Sequence, residues 1–185
     1  MSIAAAVVAS EGRFGMDVAS FAGAPFQQTW YDLPLWELFF NRFPCRSVVE
    51  LGTGQGGMAI FFAVQALRRG MKFTTFDRER LYDDQTYKAL GELGARCHLV
   101  ELFDRAEFVR GLLSAQERPL VLFCDNGDKP REFREFRPVL TSGDYVAVHD
   151  WNAEIRLSDI QPELPMVLAD ECDKTGSITR FFRVP

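Results

Sequence analysis

Ser47–Gly57 reads SVVELGTGQGG, a short apolar strand that breaks directly into a glycine-rich turn. The stretch from Met58 to Arg69 follows as a helix, with apolar residues at Ile60, Phe61, Val64 and Leu67. Strand, glycine turn and helix in that order form the setting a nucleotide-type loop requires. Gly52 and Gly54 can turn without a Cβ, and Gly56 allows close approach of backbone, ligand and helix. No Gly-Lys-Ser/Thr follows, which argues against a phosphate-cradling P-loop.

The alternation continues on both sides of this turn. Lys72–Phe76 is a second strand ending at Asp77, Cys97–Phe103 a third, and Pro119–Cys124 a fourth ending at Asp125. Tyr145–Val148 is a fifth, reaching His149 and Asp150. Helical stretches fall between them, up to Leu93, over Arg105–Ser114, and within Lys129–Leu140, where Phe133 and Phe136 share a side. Upstream, Phe26–Phe43 is aromatic-rich and helical, and Pro44 ends it. This spacing predicts an α/β fold: a doubly wound, mostly parallel Rossmann-like sheet with helices on both faces. Met166–Ala169 and Thr179–Val184 are strand-like on either side of a polar stretch, and suit an antiparallel pair at the sheet edge. The first 25 residues show no period and read as a ragged end or a cap over a site. The expectation is one domain over residues 1–185.

The chain has 185 residues and a formal net charge of −5, which argues against a dedicated nucleic-acid partner. At 47% hydrophobic and 25% charged it can build a sizeable core, so disorder is not expected. Four cysteines, at 45, 97, 124 and 172, form no close-spaced pair and resemble neither a zinc knuckle nor a disulfide scaffold. No apolar run reaches membrane-spanning length, so no membrane partner is expected and the cytoplasm is the default compartment.

An open α/β sheet binds its ligand outside the carboxyl ends of the strands, where the chemistry-bearing residues here are placed. Asp77 can accept two hydrogen bonds from a ribose diol. Asp125 and the pair His149-Asp150 end neighbouring strands, which brings two carboxylates and an imidazole together. Asp125 and Asp150, with Asn126 or Asn152 and waters, suit Mg²⁺, while His149 favours a softer ion. Simple hydrogen bonding to nearby loops is the alternative. His149 is also a candidate base, with an ordinary pKa of about 6.5. His98, inside an apolar strand, reads as a sheet-face histidine. Trp30, Tyr31 and Trp151 suit either an acceptor pocket or the core, and REFREFRP reads as a solvated helix face.

VVELGTGQGG, the FTTFD strand end, VLFCDNGDK and GDYVAVHDW together resemble the class I S-adenosylmethionine-dependent methyltransferases. The likeness is greatest to the small-molecule O-methyltransferases of the cephalosporin-hydroxylase, macrocin and rhamnosyl group, and it covers roughly residues 27–152. The resemblance implies that Glu50, Gly52, Thr53, Gly54 and Gly56 form the motif approaching the donor's amino-acid moiety. It implies that Asp77 binds the ribose, that Phe103 and Asp104 line the adenine, and that Asp125 lies near the sulfonium. It also implies a divalent metal on Asp125, His149 and Asp150, although the group's fifth strand tends to end in two adjacent acids. Lys129 matches a base of the catechol-type enzymes, but stands four residues past the acid instead of three. The implied function is methyl transfer from S-adenosylmethionine to a hydroxylated small molecule. The short stretch after Asp150 leaves little to cover an acceptor, so a second copy of the chain is expected to complete that site. A nicotinamide-dependent oxidoreductase and a non-catalytic binding protein of the same fold are the alternatives.

Overall fold

The computed structural model describes residues 20–185. Ser47–Leu51 (β3) is buried along its whole length, as a parallel strand covered on both faces should be. Lys72–Asp77 (β4) pairs with it in parallel on one side and Leu120–Cys124 (β6) on the other. Arg96–Leu99 (β5) and Tyr145–Val148 (β7) extend the sheet outward, again in parallel. Met166–Val167 (β8) and Arg180–Arg183 (β9) add the antiparallel edge, giving the order β5-β4-β3-β6-β7-β9-β8.

The third strand is shorter than the apolar run suggests. β5 has a neighbour on one side only, and its register ends where Leu99 meets Asp77, the last residue of β4. Val100 still donates to the Asp77 carbonyl at 2.7 Å, after which the chain leaves the sheet. The polar stretch after β8 also differs from expectation. Residues Ala169–Thr175 form a short helix with Gly176 at its C-cap, and Cys172 is its only buried residue, so no apolar period announces it.

Among the described residues five further α-helices connect the strands: Asp32–Arg42 (α1), Gly57–Arg69 (α2), Asp84–Glu92 (α3), Ala106–Ser114 (α4) and Lys129–Phe136 (α5). Alternate strand residues feed two cores. On one face Trp36 sits among Phe62, Phe181 and Phe123, with ring centroids 4.7, 4.8 and 5.2 Å away and edge-on geometry. On the other, Val49, Leu51 and Leu122 pack with Phe133 and Phe136. Much of the phenylalanine content is therefore core. REFREFRP is only half a solvated face: Arg131 and Arg134 are exposed, whereas Glu132, Phe133 and Phe136 are buried.

Of the N-terminal segment read as a ragged end or a cap, residues 1–19 lie outside the described residues. Ser20–Phe21 (β1) and Ala24–Pro25 (β2) form a small antiparallel hairpin that rests on α2 through an edge-on Phe21–Phe61 contact. Pro25 and Phe26 continue from it onto the carboxyl ends of the central strands, where they line the cavity described next.

Candidate functional site

The strand order reverses between β3 and β6, and the crevice at such a switch point is where an open α/β sheet binds ligands. Here the Asp125 amide donates to the Leu51 carbonyl at 2.9 Å, drawing the two strand ends together. Gly52 is confined by that approach. Its φ is +103°, and a Cβ there would collide with the Asp125 carbonyl.

The glycine turn then folds over β4. Gly54 N–H donates to Asp77 Oδ2 at 2.8 Å, and Arg78 N–H donates to Oδ1 at 2.7 Å. Below the turn, Thr75 Oγ1 donates to Glu50 Oε2 at 2.7 Å and lies 2.7 Å from Thr53 Oγ1. Burial pushes the Glu50 carboxyl well above the ordinary range. Glu50 and Thr53 therefore buttress the loop from beneath.

A cavity of about 670 Å³ opens along these strand ends. Gly52, Gly54, Gly56, Asp77, Phe103, Asp125, Lys129, His149 and Asp150 all line it. Glu50, Thr53 and Asp104 do not, nor do Trp30, Tyr31 and Trp151. Phe103 is held under the Arg131 guanidinium, 3.8 Å from its ring centroid, and stacks on Phe136. His98 lies away from the site, stacked on Phe76.

The cavity also includes residues the sequence did not single out. Gln28, just beyond the hairpin, donates through Nε2 to Asp125 Oδ2. Glu154 stands four residues past Asp150, in a loop where Asp150 and Asn152 both have positive φ. Glu132 does not line the cavity but accepts from the Asn126 and Asp128 amides at 3.1 Å, fixing the loop after β6. Burial raises its carboxyl to about 8. No periodic pattern marks Gln28 or Glu154, because both sit in loops whose reach is set by tertiary contacts.

The charged groups converge at one end. His149 Nδ1 lies 3.1 Å from Asp125 Oδ1 and 3.3 Å from Asp150 Oδ1. Lys129 Nζ donates to Asp150 Oδ2 at 2.6 Å and to Glu154 Oε2 at 2.9 Å, and lies 3.7 Å from Asp125 Oδ1. Burial works against the charged imidazole, but the two aspartates outweigh it and push His149 up to about 10. Burial also opposes the Lys129 charge, and the surrounding carboxylates nevertheless hold its ammonium above the ordinary lysine range. Hydrogen bonding from His149, and then from Lys129, keeps Asp150 well below the usual carboxylate range. His149 Nε2 is buried and has no hydrogen-bond partner.

Donor atoms of Asp125, His149 and Asp150 lie within 4.8 Å of one another, so the trio has the composition of a cation site. Its oxygens, however, already face protein donors. Asp125 meets Gln28 and His149, and Asp150 meets His149 and Lys129. As they stand, these oxygens are engaged by protein donors that a divalent ion would have to displace.

Solved structures carry the same arrangement of elements. One described as cmcI-D160 with Mg and SAM superposes with a TM-score of 0.70 at 15% identity, covering 92% of this chain and 78% of that one. What is shared is the fold, a mostly parallel Rossmann-like sheet with helices on both faces. CalS11, a TDP-rhamnose 3'-O-methyltransferase of calicheamicin biosynthesis, matches at a TM-score of 0.58 and 14% identity, over 82% of this chain and 78% of that one. TomG from Streptomyces achromogenes, an O-methyltransferase of tomaymycin synthesis in complex with SAM, matches at 0.52 and 19%, over 81% and 66%. No protein-family model matches the chain, and no curated protein does. No helix among the described residues is long and apolar enough to cross a membrane.

Proposed function

We propose that the chain transfers a methyl group from S-adenosylmethionine to a hydroxyl of a small molecule. The observation that carries this reading is the single cavity joining the glycine turn, Asp77 and Asp125 across the switch point. Bound S-adenosylmethionine would supply an already activated sulfonium methyl, so the residues have to align the reactants and take up one proton.

Each end of the cavity has a role in that task. Asp77 keeps free lone pairs for the ribose hydroxyls beside its two backbone hydrogen bonds. The amides opening α2, next to Gly56, suit the donor's carboxylate. Phe103 offers an apolar wall for the adenine. At the other end, Asp125 orients the acceptor beside the sulfonium. His149 takes the hydroxyl proton on Nε2, its Nδ1–H being held by the aspartates, as in other carboxylate-oriented imidazole bases. Both groups are held charged by the carboxylates, His149 the less strongly, so a rise in pH frees His149 first as the base. Divalent-metal assistance is not part of this proposal, because the donor atoms are already engaged. Cover for the acceptor by a second copy remains part of it, with solution mass as the check. The four free cysteines suit a reducing, cytoplasmic compartment.

Calorimetric titration with S-adenosylmethionine tests the reading. Saturable binding by the wild type, weakened on substituting Asp77, is expected. Absence of binding would overturn it. A screen of hydroxylated sugars and phenols with the donor then identifies the acceptor class.

A further inference from the structure

Lys129 occupies an unusual place. It is the first residue of α5, capped by Asp128, whose Oδ1 accepts from Arg131 N–H at 3.1 Å, and it is followed directly by Pro130. A helix N-terminus favours anions and disfavours cations. The residue is nevertheless only 4% exposed, so its charge is neither solvated nor helped by the helix. Its direct charge contacts come from outside α5: Asp150 at 2.6 Å, Glu154 at 2.9 Å and Asp125 at 3.7 Å. Those carboxylates come from the ends of two neighbouring strands and the loop beyond. Two of them, Asp125 and Asp150, belong to the trio with the composition of a cation site.

The spacing is that of an ammonium. Mg²⁺ draws oxygens to about 2.0–2.1 Å in an octahedron, whereas an ammonium offers three donors at hydrogen-bond distance. Two of the Lys129 donors are used by Asp150 and Glu154, and Asp125 is too distant for the third. That third N–H has no hydrogen-bond partner among the described residues, and Lys129 lines the cavity.

We propose that the Lys129 ammonium is the resident cation of this site, seated among Asp125, Asp150 and Glu154 in place of a divalent ion. Its remaining N–H holds the acceptor oxygen and stabilises the charge that grows there as the proton leaves, the task a metal ion would perform. The inference deepens the methyl-transfer reading and rests on it for this role. The occupancy of the cation seat can be tested without donor or acceptor.

The experiment is a titration of the purified full chain with Mn²⁺ alone, following free Mn²⁺ by electron paramagnetic resonance. The wild type and Lys129→Arg, which both keep the positive charge, are expected to bind weakly. Lys129→Met and Lys129→Gln, which free the carboxylates, are expected to bind about tenfold tighter or more. That gain should disappear when Asp150→Asn is added. Circular dichroism establishes that each variant folds. Micromolar Mn²⁺ binding by the wild type would overturn the inference however the variants behave. So would a folded Lys129→Met or Lys129→Gln that gains no affinity, or a Lys129→Arg that gains as much as they do. Failure of S-adenosylmethionine to bind would remove the proposed reaction and leave the Mn²⁺ result standing. Tight Mn²⁺ binding by the wild type would do the reverse.

Discussion

His149 Nδ1 lies 3.1 Å from Asp125 Oδ1, and this contact links the charge of the site to the stability of the fold. The imidazole is raised from 6.5 to about 10 in the folded chain. A group raised on folding contributes stability that is fully present below its unfolded pKa and is lost as pH rises through its folded one. The His149 contribution should therefore be complete below pH 6.5 and fade towards pH 10. Glu132, raised to about 8 by burial, pulls the same way and is half titrated at pH 8, in the wild type and in a His149 variant alike. Above pH 9, thiols such as Cys45, pushed up to about 12 by burial, also pull the same way. They do so with or without His149. Thermal melts at pH 8 and 10 should show a larger fall for the wild type than for His149→Gln, by at least about 3 °C for a chain of this size. Equal falls would mean that His149 carries no extra proton in the folded state.

The same shift sets the rate profile. If His149 Nε2 takes the hydroxyl proton, only its neutral form is competent, and that form is scarce at pH 7 when the pKa is about 10. Turnover at saturating substrates should rise with pH across the neutral and mildly alkaline range, reach half its limit near 10 and level off above it. A profile that is flat from pH 6 to 9 would assign the proton to another acceptor.

Asp77 contributes two charged hydrogen-bond acceptors at the end of β4. Asp77→Asn retains one acceptor for the Gly54 amide but loses the charge and half the capacity to accept from a ribose diol. A lost hydrogen bond to a charged group is worth about 1.5–3 kcal/mol, so affinity for S-adenosylmethionine should fall roughly 10- to 150-fold. Calorimetry measures it directly. Unchanged affinity would place the ribose elsewhere.

What was legible in the sequence follows from where local pattern and tertiary demand agree. SVVEL and YVAV are buried on both faces, so their apolar runs have the bounds of the strands themselves. The acids at the ends of β4 and β6 were legible for the same reason, since a carboxylate ending such a run belongs at the rim. The end of β5 was not, because its pairing stops where β4 stops rather than where its own apolar residues do. The helix at Ala169–Thr175 was hidden because only Cys172 faces inward. Gln28 and Glu154 reach the site from loops, and no spacing rule connects them with Asp125 or Lys129. Glu132 was hidden in a charged run, although its carboxylate holds two loop amides.

Trp36 gives a prediction about the core alone. Its ring is fully buried against Phe62, Phe123 and Phe181, tying α1 to α2 and to two strands. Trp36→Ala removes that contact and leaves a cavity, a change that costs about 3–5 kcal/mol. Because the ring lies away from the cavity lining, the variant that remains folded at low temperature should bind S-adenosylmethionine like the wild type. Chemical denaturation and calorimetry on the same sample check both halves.

Two glycines of the turn separate strain from collision. Gly54 has φ +53° and nothing within 4 Å of where a Cβ would stand, so Gly54→Ala meets only the penalty of a left-handed backbone, roughly 1–2 kcal/mol. Gly52 has φ +103° and would drive its Cβ into the Asp125 carbonyl. That carbonyl is backbone at the end of β6 and cannot turn aside as a flexible side chain would. Gly52→Ala must therefore prise the β3 and β6 ends apart, the junction held by the 2.9 Å bond from Asp125 N–H to the Leu51 carbonyl. It should destabilise the chain more than Gly54→Ala does. It should also lower turnover more than donor affinity, because it displaces Asp125 while leaving Asp77 on β4. Denaturation midpoints, calorimetry and turnover measured on the two variants side by side test the distinction. Equal losses would mean that the approach of Gly52 to Asp125 is not what positions the reacting end of the cavity.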